Sequence, residues 1–243
     1  YSAGTGITTG EYNSAIGYEA LALTTTGVRN VAIGTQALYT NVDGDNSVAI
    51  GYEALFTQDP ASNVDMYNVA VGYAAGKAVT TGVQNTLIGG LAGDAITTGN
   101  YNVGVGDGSL GSTTTASSNT AVGQAALQNN TTGAENVAVG RNALQLNTTA
   151  SNNTALGYAS LGVNTTGSEN VAIGGLALDA NTTGASNVGI GYGALGQNTT
   201  ASNNTAVGKT ALNANTEGTG NSAFGQNSLD ANTTGDYNTG IGM

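Results

Sequence analysis

The chain has 243 residues, a formal net charge of −11, only 8% charged residues, 39 glycines, one proline, and no cysteine, histidine or tryptophan. That composition excludes a disulfide framework, thiolate chemistry, imidazole metal ligands and a histidine-based catalytic triad. The four basic residues Arg29, Lys77, Arg141 and Lys209 are scattered, so binding to nucleic-acid phosphates or to an anionic membrane is disfavoured. No apolar run approaches the roughly 20 residues that span a bilayer, and no signal peptide is visible. Tyr1 falls inside a partial repeat and Met243 follows the last repeat glycine, so the sequence is expected to be a piece of a longer chain. Low charge with abundant Asn, Thr and Gly would suit disorder. Strict apolar columns argue against it, because a disordered tract has no reason to keep register.

Those columns are set by fourteen glycines: Gly17, Gly34, Gly51, Gly72, Gly89, Gly106, Gly123, Gly140, Gly157, Gly174, Gly191, Gly208, Gly225 and Gly242. Every interval is 17 residues except Gly51 to Gly72, which is 21. A period this short means one small unit stacked on itself. The whole chain, 1–243, is therefore a single repeat array with one interruption at 56–67. Each unit opens on a pentapeptide such as Asn30-Val31-Ala32-Ile33-Gly34. Its first position is Asn (Ser47 is the exception), its second Val, Thr or Ser, its third small except Leu87, its fourth apolar. The two-residue alternation from position two to position four predicts a strand, and Gly, Asn, Thr and Val disfavour a helix. Ala-Leu follows, as in Ala37-Leu38 and Ala143-Leu144, and is expected to be a short second strand after a tight turn. The unit ends in turn chemistry, typically Asn164-Thr165-Thr166-Gly167.

The fold class expected is all-β: a parallel β-roll or β-solenoid of about fourteen 17-residue coils, stacked at about 4.8 Å each into a rod of roughly 65–70 Å. Ile33, Leu38, Ile173 and Leu178 are placed inside it. Ile173→Asp is then expected to destabilise strongly and Thr182→Asp little. Two asparagine columns, the opening one and the loop one at Asn130, Asn147, Asn164, Asn181, Asn198, Asn215 and Asn232, are expected to form amide ladders. The Asn-x-Thr sequons of the loop column are read as ladder and turn residues rather than glycosylation sites. One Ile or Val and one Leu per coil is a thin core, so chains should bury surface against each other. Three around an axis is the symmetric closed solution.

Asn46-Ser47-Val48-Ala49-Ile50-Gly51 resembles the head repeat of the YadA-like trimeric autotransporter adhesins. Asn-Thr-Thr-Gly-x-x-Asn-x-Ala-Ile-Gly arrays are similar to repeats of phage tail fibres and bacterial surface proteins. The resemblance covers residues 8 to 243. It implies a left-handed parallel β-roll with three chains side by side. The head repeat is typically shorter than 17 residues, so the extra residues here should lengthen the outer loop.

Chemistry is sparse. Glu19 and Glu53 recur in matching Tyr-Glu-Ala-Leu segments and Glu135 and Glu169 at equivalent places, which repeat copying explains better than an acid–base pair. Asp43-Gly44-Asp45 and Gly104-Val105-Gly106-Asp107-Gly108 lack the every-turn Asp of calcium-binding repeats. No enzyme activity, cofactor or metal is expected. Two features break the pattern. The interruption holds Phe56, Asp59, Pro60, Asp65 and Tyr67, and insertions in repeat arrays map to surface loops. Tyr18, Tyr52, Tyr73, Tyr158 and Tyr192 follow the repeat glycine directly, and Tyr12, Tyr67, Tyr101 and Tyr237 precede the opening Asn. Partly exposed Tyr suits sugar or protein ligands. Phe56, Asp59, Pro60, Asp65 and Tyr67 of the interruption, with Tyr18, Tyr52, Tyr73, Tyr158 and Tyr192, are the candidate binding set. The expected function is a structural and interaction segment of an extracellular fibre, on a cell surface or a virion, with a host glycan or protein as a further partner. A self-assembling filament subunit and an ice-binding solenoid are the alternatives.

Overall fold

The computed structural model describes residues 2–243. Among them there is no helix; the fold is an all-β parallel β-solenoid of about 13 turns with about 17 residues per turn. The chain divides into two compact units, Tyr1–Asn119 and Thr120–Met243. The first carries β1 (Ser14–Ile16), β2 (Val31–Ile33), β3 (Gly44–Asp45), β4 (Val48–Ile50), β5 (Val64–Asp65), β6 (Val69–Val71), β7 (Thr86–Ile88) and β8 (Val103–Val105). Its main sheet runs β1-β2-β4-β6-β7-β8, all parallel, and β3 pairs with β5. The second carries β9 (Thr120–Val122), β10 (Val137–Val139), β11 (Thr154–Leu156), β12 (Val171–Ile173), β13 (Val188–Ile190), β14 (Thr205–Val207), β15 (Ser222–Phe224) and β16 (Thr239–Ile241), joined in that order. Equivalent residues pair, so Ala155 faces Ala172 and Ile173 faces Ile190.

The expected second strand does not form. Ala-Leu lies in a run of turns, and its leucines take positive φ, as at Leu38 (49°) and Leu144 (49°). Positive φ recurs at Asn142 (60°) and Asn152 (62°) in the same turn of the solenoid. An L-residue there costs roughly 1–2 kcal/mol. The return is hydrogen bonding in both directions along the stack. Asn142 and Asn152 donate their N–H back to Gln124 O (3.0 Å) and Ala134 O (3.2 Å), whereas Leu144 donates forward to Ser160 O (3.1 Å). The turns are therefore tied together around most of their circumference, with regular ladder geometry only at the three-residue strand.

The phase of that strand corrects the sequence reading. Position three faces inward: Ala32, Ala138 and Ala172 are fully buried. Position four faces outward: Ile33 is 36% exposed and Ile173 only half-buried. A two-residue alternation is the same whichever face is inside, and a shift by one residue exchanges the faces. The interior is too narrow for Ile on the strand because Leu38 and Leu178 reach across from the turn and fill it. Ala37 and Ala177 complete the apolar half.

The other half of the interior is amide. Each opening Asn joins three segments. Asn30 donates Nδ2 to Gly44 O (2.8 Å), closing its own turn, and its Oδ1 accepts the N–H of Ser47 (2.9 Å) in the next. In the second unit the loop column stacks as expected: Asn147, Asn164, Asn181, Asn198, Asn215 and Asn232 each donate Nδ2 to the Oδ1 one turn before, at 2.9–3.1 Å. Each also donates to the carbonyl three residues on, as Asn164 does to Gly167 O (2.9 Å). Asn130, Asn147 and Asn164 have no exposed surface, so their sequons are closed in the folded chain. Thr113 Oγ1 is the one buried side-chain polar atom without a partner among the described residues, so the polar half is close to fully satisfied.

The repeat glycine is required at its corner. At Gly140 φ is +134°, and a Cβ would lie 2.4 Å from the carbonyl oxygen of Gly157 in the adjoining turn. Leu178→Ala should lower stability by about 2–5 kcal/mol, and Gly140→Ala should also destabilise, whereas Thr183→Ala at an exposed loop position should have little effect. Denaturant unfolding monitored by far-UV circular dichroism checks the ranking. A Leu178 variant no weaker than the Thr183 variant would contradict the inward assignment.

Candidate functional site

Two outward columns, positions two and four of the strand, make the most distinctive surface of each unit. Position four is apolar at every turn, as at Ile33, Ile50, Val71 and Ile88 in the first unit and Val139, Leu156, Ile173 and Ile190 in the second; position two is Val at seven turns, such as Val31 and Val188, and Thr or Ser at the other seven, such as Thr86 and Ser222. No charged residue stands in either column. Ile88, Val137 and Leu156 are 40%, 39% and 45% exposed. A contiguous apolar sheet face marks a site of interaction. Sequence reasoning missed it because bulk alone had assigned position four to the core; the missing signal was the smallness of position three, which only Leu87 breaks.

The tyrosines after the repeat glycine border this face, and all five are exposed, from 45% at Tyr52 to 59% at Tyr73. The fold brings Tyr52 and Tyr73 together as a stacked pair with centroids 5.6 Å apart. Tyr18 lies two turns before Tyr52, with Thr35 at the intervening position. Tyr158 and Tyr192 belong to the second unit, on turns separated by Gly175. Beside the stacked pair, Lys77 Nζ meets Glu53 at 2.5 Å. Hydrogen bonding to Lys77 holds the Glu53 carboxyl below its ordinary 4.5, against some desolvation, and the same bond raises Lys77 above 10.5. Hydrogen bonding to Glu53 also raises the Tyr52 phenol, as Glu19 does for Tyr18.

The interruption is anchored rather than free. Its four extra residues enter in two places: three between Gln58 and Val64, since Asn41 matches Gln58 but Gly44 pairs with Val64, and the fourth as Met66. Ala61 to Asp65 are exposed, but Gln58, Pro60 and Met66 are buried, which corrects the picture of a simple outward bulge. Phe56 is half-buried and stacks on Tyr39 at 5.1 Å. Asp59 accepts the Val42 N–H (3.1 Å). Asp65 accepts Asn46 Nδ2 and the Tyr67 hydroxyl, the latter at 3.2 Å. Gln58 takes the loop-column place of an Asn and is one methylene longer. It fills the gap left by Ser47, the one opening position without Asn: Nδ2 of Asn68 donates to Gln58 Oε1 (2.9 Å), and Gln58 Nε2 donates to Asn41 Oδ1 and Ser47 Oγ (both 3.0 Å). Both departures from the repeat thus belong to one buried network.

Elsewhere the surface is less available than the sequence suggests. Thr148, Thr165 and Thr182 donate their hydroxyls to the carbonyl one turn on (3.0–3.1 Å), and in these three pairs only the second residue, Thr149, Thr166 or Thr183, is exposed. Among the described residues no cluster of three or more acidic side chains is arranged to hold a metal, and no helix is long and apolar enough to cross a membrane. No family model, curated protein or solved structure matches the chain.

Ser47→Asn and Gln58→Asn should each destabilise the first unit, the former by crowding Gln58 and the latter by leaving Asn68 short of an acceptor. The double variant should recover much of the loss, with a coupling of about 0.5–3 kcal/mol in a double-mutant cycle of unfolding free energies; additive losses would refute the compensation. The Glu53–Lys77 pair has a defined pH window. A lowered carboxyl pKa adds stability above 4.5 that is lost as pH falls through the folded value. The raised Lys adds stability below 10.5 that is lost as pH rises through its folded value. Lys77→Met should therefore cost less than about 1 kcal/mol at neutral pH, because the lysine is well exposed, and nothing once Glu53 is protonated. Thermal melts across the acid range read this directly.

Proposed function

We propose that the chain is a structural segment of an extracellular fibre, a bacterial surface adhesin or a phage tail fibre, in which three copies wound left-handed pack side by side through the outward Val/Ile columns. The observation that carries this reading is the uncharged apolar face at strand positions two and four, repeated at every turn. A second copy of the same chain presents the same side chains at the same spacing, so every turn in register adds the same contact. The face is nearly all β-branched or aliphatic, which suits a permanent interface more than a transient one. The small interior of each turn fits the same reading, because stabilising area missing inside is supplied between chains. The segment 56–67, with Ala61 to Asp65 exposed, is the least repetitive surface and the candidate for contact with a host glycan or protein.

Light scattering of the segment should report three chains. Replacing Val139, Ile173 and Val207 together by Asp, all on the outward face of the second unit, should yield monomers that keep their β circular dichroism. A wild-type monomer, or a triple variant that stays assembled, would overturn the side-by-side packing. Ile173→Asp thus becomes a probe of assembly rather than of the coil interior.

A further inference from the structure

The second unit has a cavity of about 220 Å³ on its outer surface, lined by Tyr192, Asp179, Asn213, Gly193 and Gly196 among others. Its origin is local. The turn that opens at Asn187 carries glycine at two outward positions, 193 and 196, where the turn before has Leu176 and Asp179 and the turn after has Thr210 and Asn213. Two missing side chains in one turn leave a notch between filled neighbours; both glycines are buried at its floor, and the Asn213 amide covers part of it.

Polar groups converge on its floor. Asn213 Nδ2 donates to Gly193 O at 2.8 Å. A Cβ on Gly196 would lie 2.6 Å from Asn213 Nδ2 and 3.4 Å from Asp179 Oδ1, so amide and carboxylate point over the same glycine. Asp179 is half-buried there, and burial raises its carboxyl above the usual range. Tyr192 flanks the notch, 55% exposed, with its ring edge 3.6 Å from where a Cβ on Gly175 would sit, so that it lies over a backbone with no side chain to lift it.

We infer that this notch binds one neutral sugar ring, resting on Tyr192 and hydrogen-bonded through its hydroxyls to Asp179 and Asn213. An aromatic ring offers an apolar platform for the C–H face of a pyranose. A carboxylate accepts from hydroxyls, and an amide both donates and accepts. The volume lies below the roughly 300 Å³ at which pockets for drug-sized ligands begin, so one ring is as much of a ligand as the notch itself holds. Asp179 and the net charge of −11 disfavour an anion, and one carboxylate without further acidic ligands does not make a cation site. The inference goes beyond the fibre reading and does not depend on it.

The test uses the full chain and a panel of D-glucose, D-galactose, D-mannose and N-acetyl-D-glucosamine at millimolar concentration. Saturation-transfer NMR should show transfer to at least one of them, with Tyr192 ring protons perturbed in the complementary experiment. Gly193→Asn fills the notch at little cost to the fold: φ is already +62°, Asn142 holds φ 60° at the same place in its turn, and the new Cβ would meet only Thr210 Cγ2 at 3.5 Å and Asn213 Nδ2 at 3.7 Å. Gly193→Asn and, separately, Tyr192→Ala should each weaken binding about tenfold or more, a change of about 1.4 kcal/mol. Light scattering of both should match the wild type, which separates loss of the notch from loss of assembly. Absence of transfer from all four sugars, or binding unchanged in Gly193→Asn, would overturn the assignment.

Discussion

A buried primary amide, repeated once per turn, is what the structure depends on. The opening Asn donates to the loop carbonyl fourteen residues on and accepts the backbone N–H of the next turn: Asn153 Nδ2 donates to Gly167 O (3.0 Å) and its Oδ1 accepts the N–H of Asn170 (2.9 Å). One side chain therefore closes a turn and fixes its neighbour's register. Leaving such a group unpaired in the interior costs about 1–3 kcal/mol, so a turn one residue out of step would orphan amides on both sides. The 17-residue period is enforced by this accounting as much as by apolar packing. The interruption supports the point: where Ser47 breaks the column, Gln58 restores its hydrogen bonds.

A turn by itself would be unstable. Its leucine and two further non-glycine residues sit at positive φ, and the hydrogen bonds that compensate are made to other turns. Stability must therefore be cooperative along the stack, as in other repeat proteins. The same economy explains the small inner face. Ala at position three and Gly at the corner let backbones approach closely, and the bulky β-branched residues displaced from the interior appear on the outer face. The exposed apolar face and the narrow interior are two results of one choice of residue sizes.

Much of this was legible in the sequence. The glycine spacing located every turn, the asparagine columns predicted both ladders, and the tyrosines lie exposed where their places beside the strand put them. What was not legible has physical reasons. Val-Ala-Ile alternates identically in either phase, and only the width of the coil, set by leucines six positions beyond the strand alanine, decides that Ala172 is inside and Ile173 outside. The Ala-Leu segment has the composition of a strand, but its hydrogen bonds reverse direction at each positive-φ residue. The length of the interruption could be counted, yet the burial of Met66 and Pro60 depends on a gap visible only in three dimensions. The notch at Gly193 and Gly196 escaped for the opposite reason: glycines in a glycine-rich chain carry no contrast until their neighbours' side chains are placed.

The all-round linkage between turns has a mechanical meaning. The hydrogen bonds that join one turn to the next run along the stacking direction, so a load in that direction falls on them turn after turn in series. A segment pulled this way should yield in steps rather than at once. Each 17-residue turn that lets go frees about 56–61 Å of chain. The interrupted turn, with 21 residues, frees about 69–76 Å. A segment built like this would act as a graded shock absorber, with its one long step placed in the first unit.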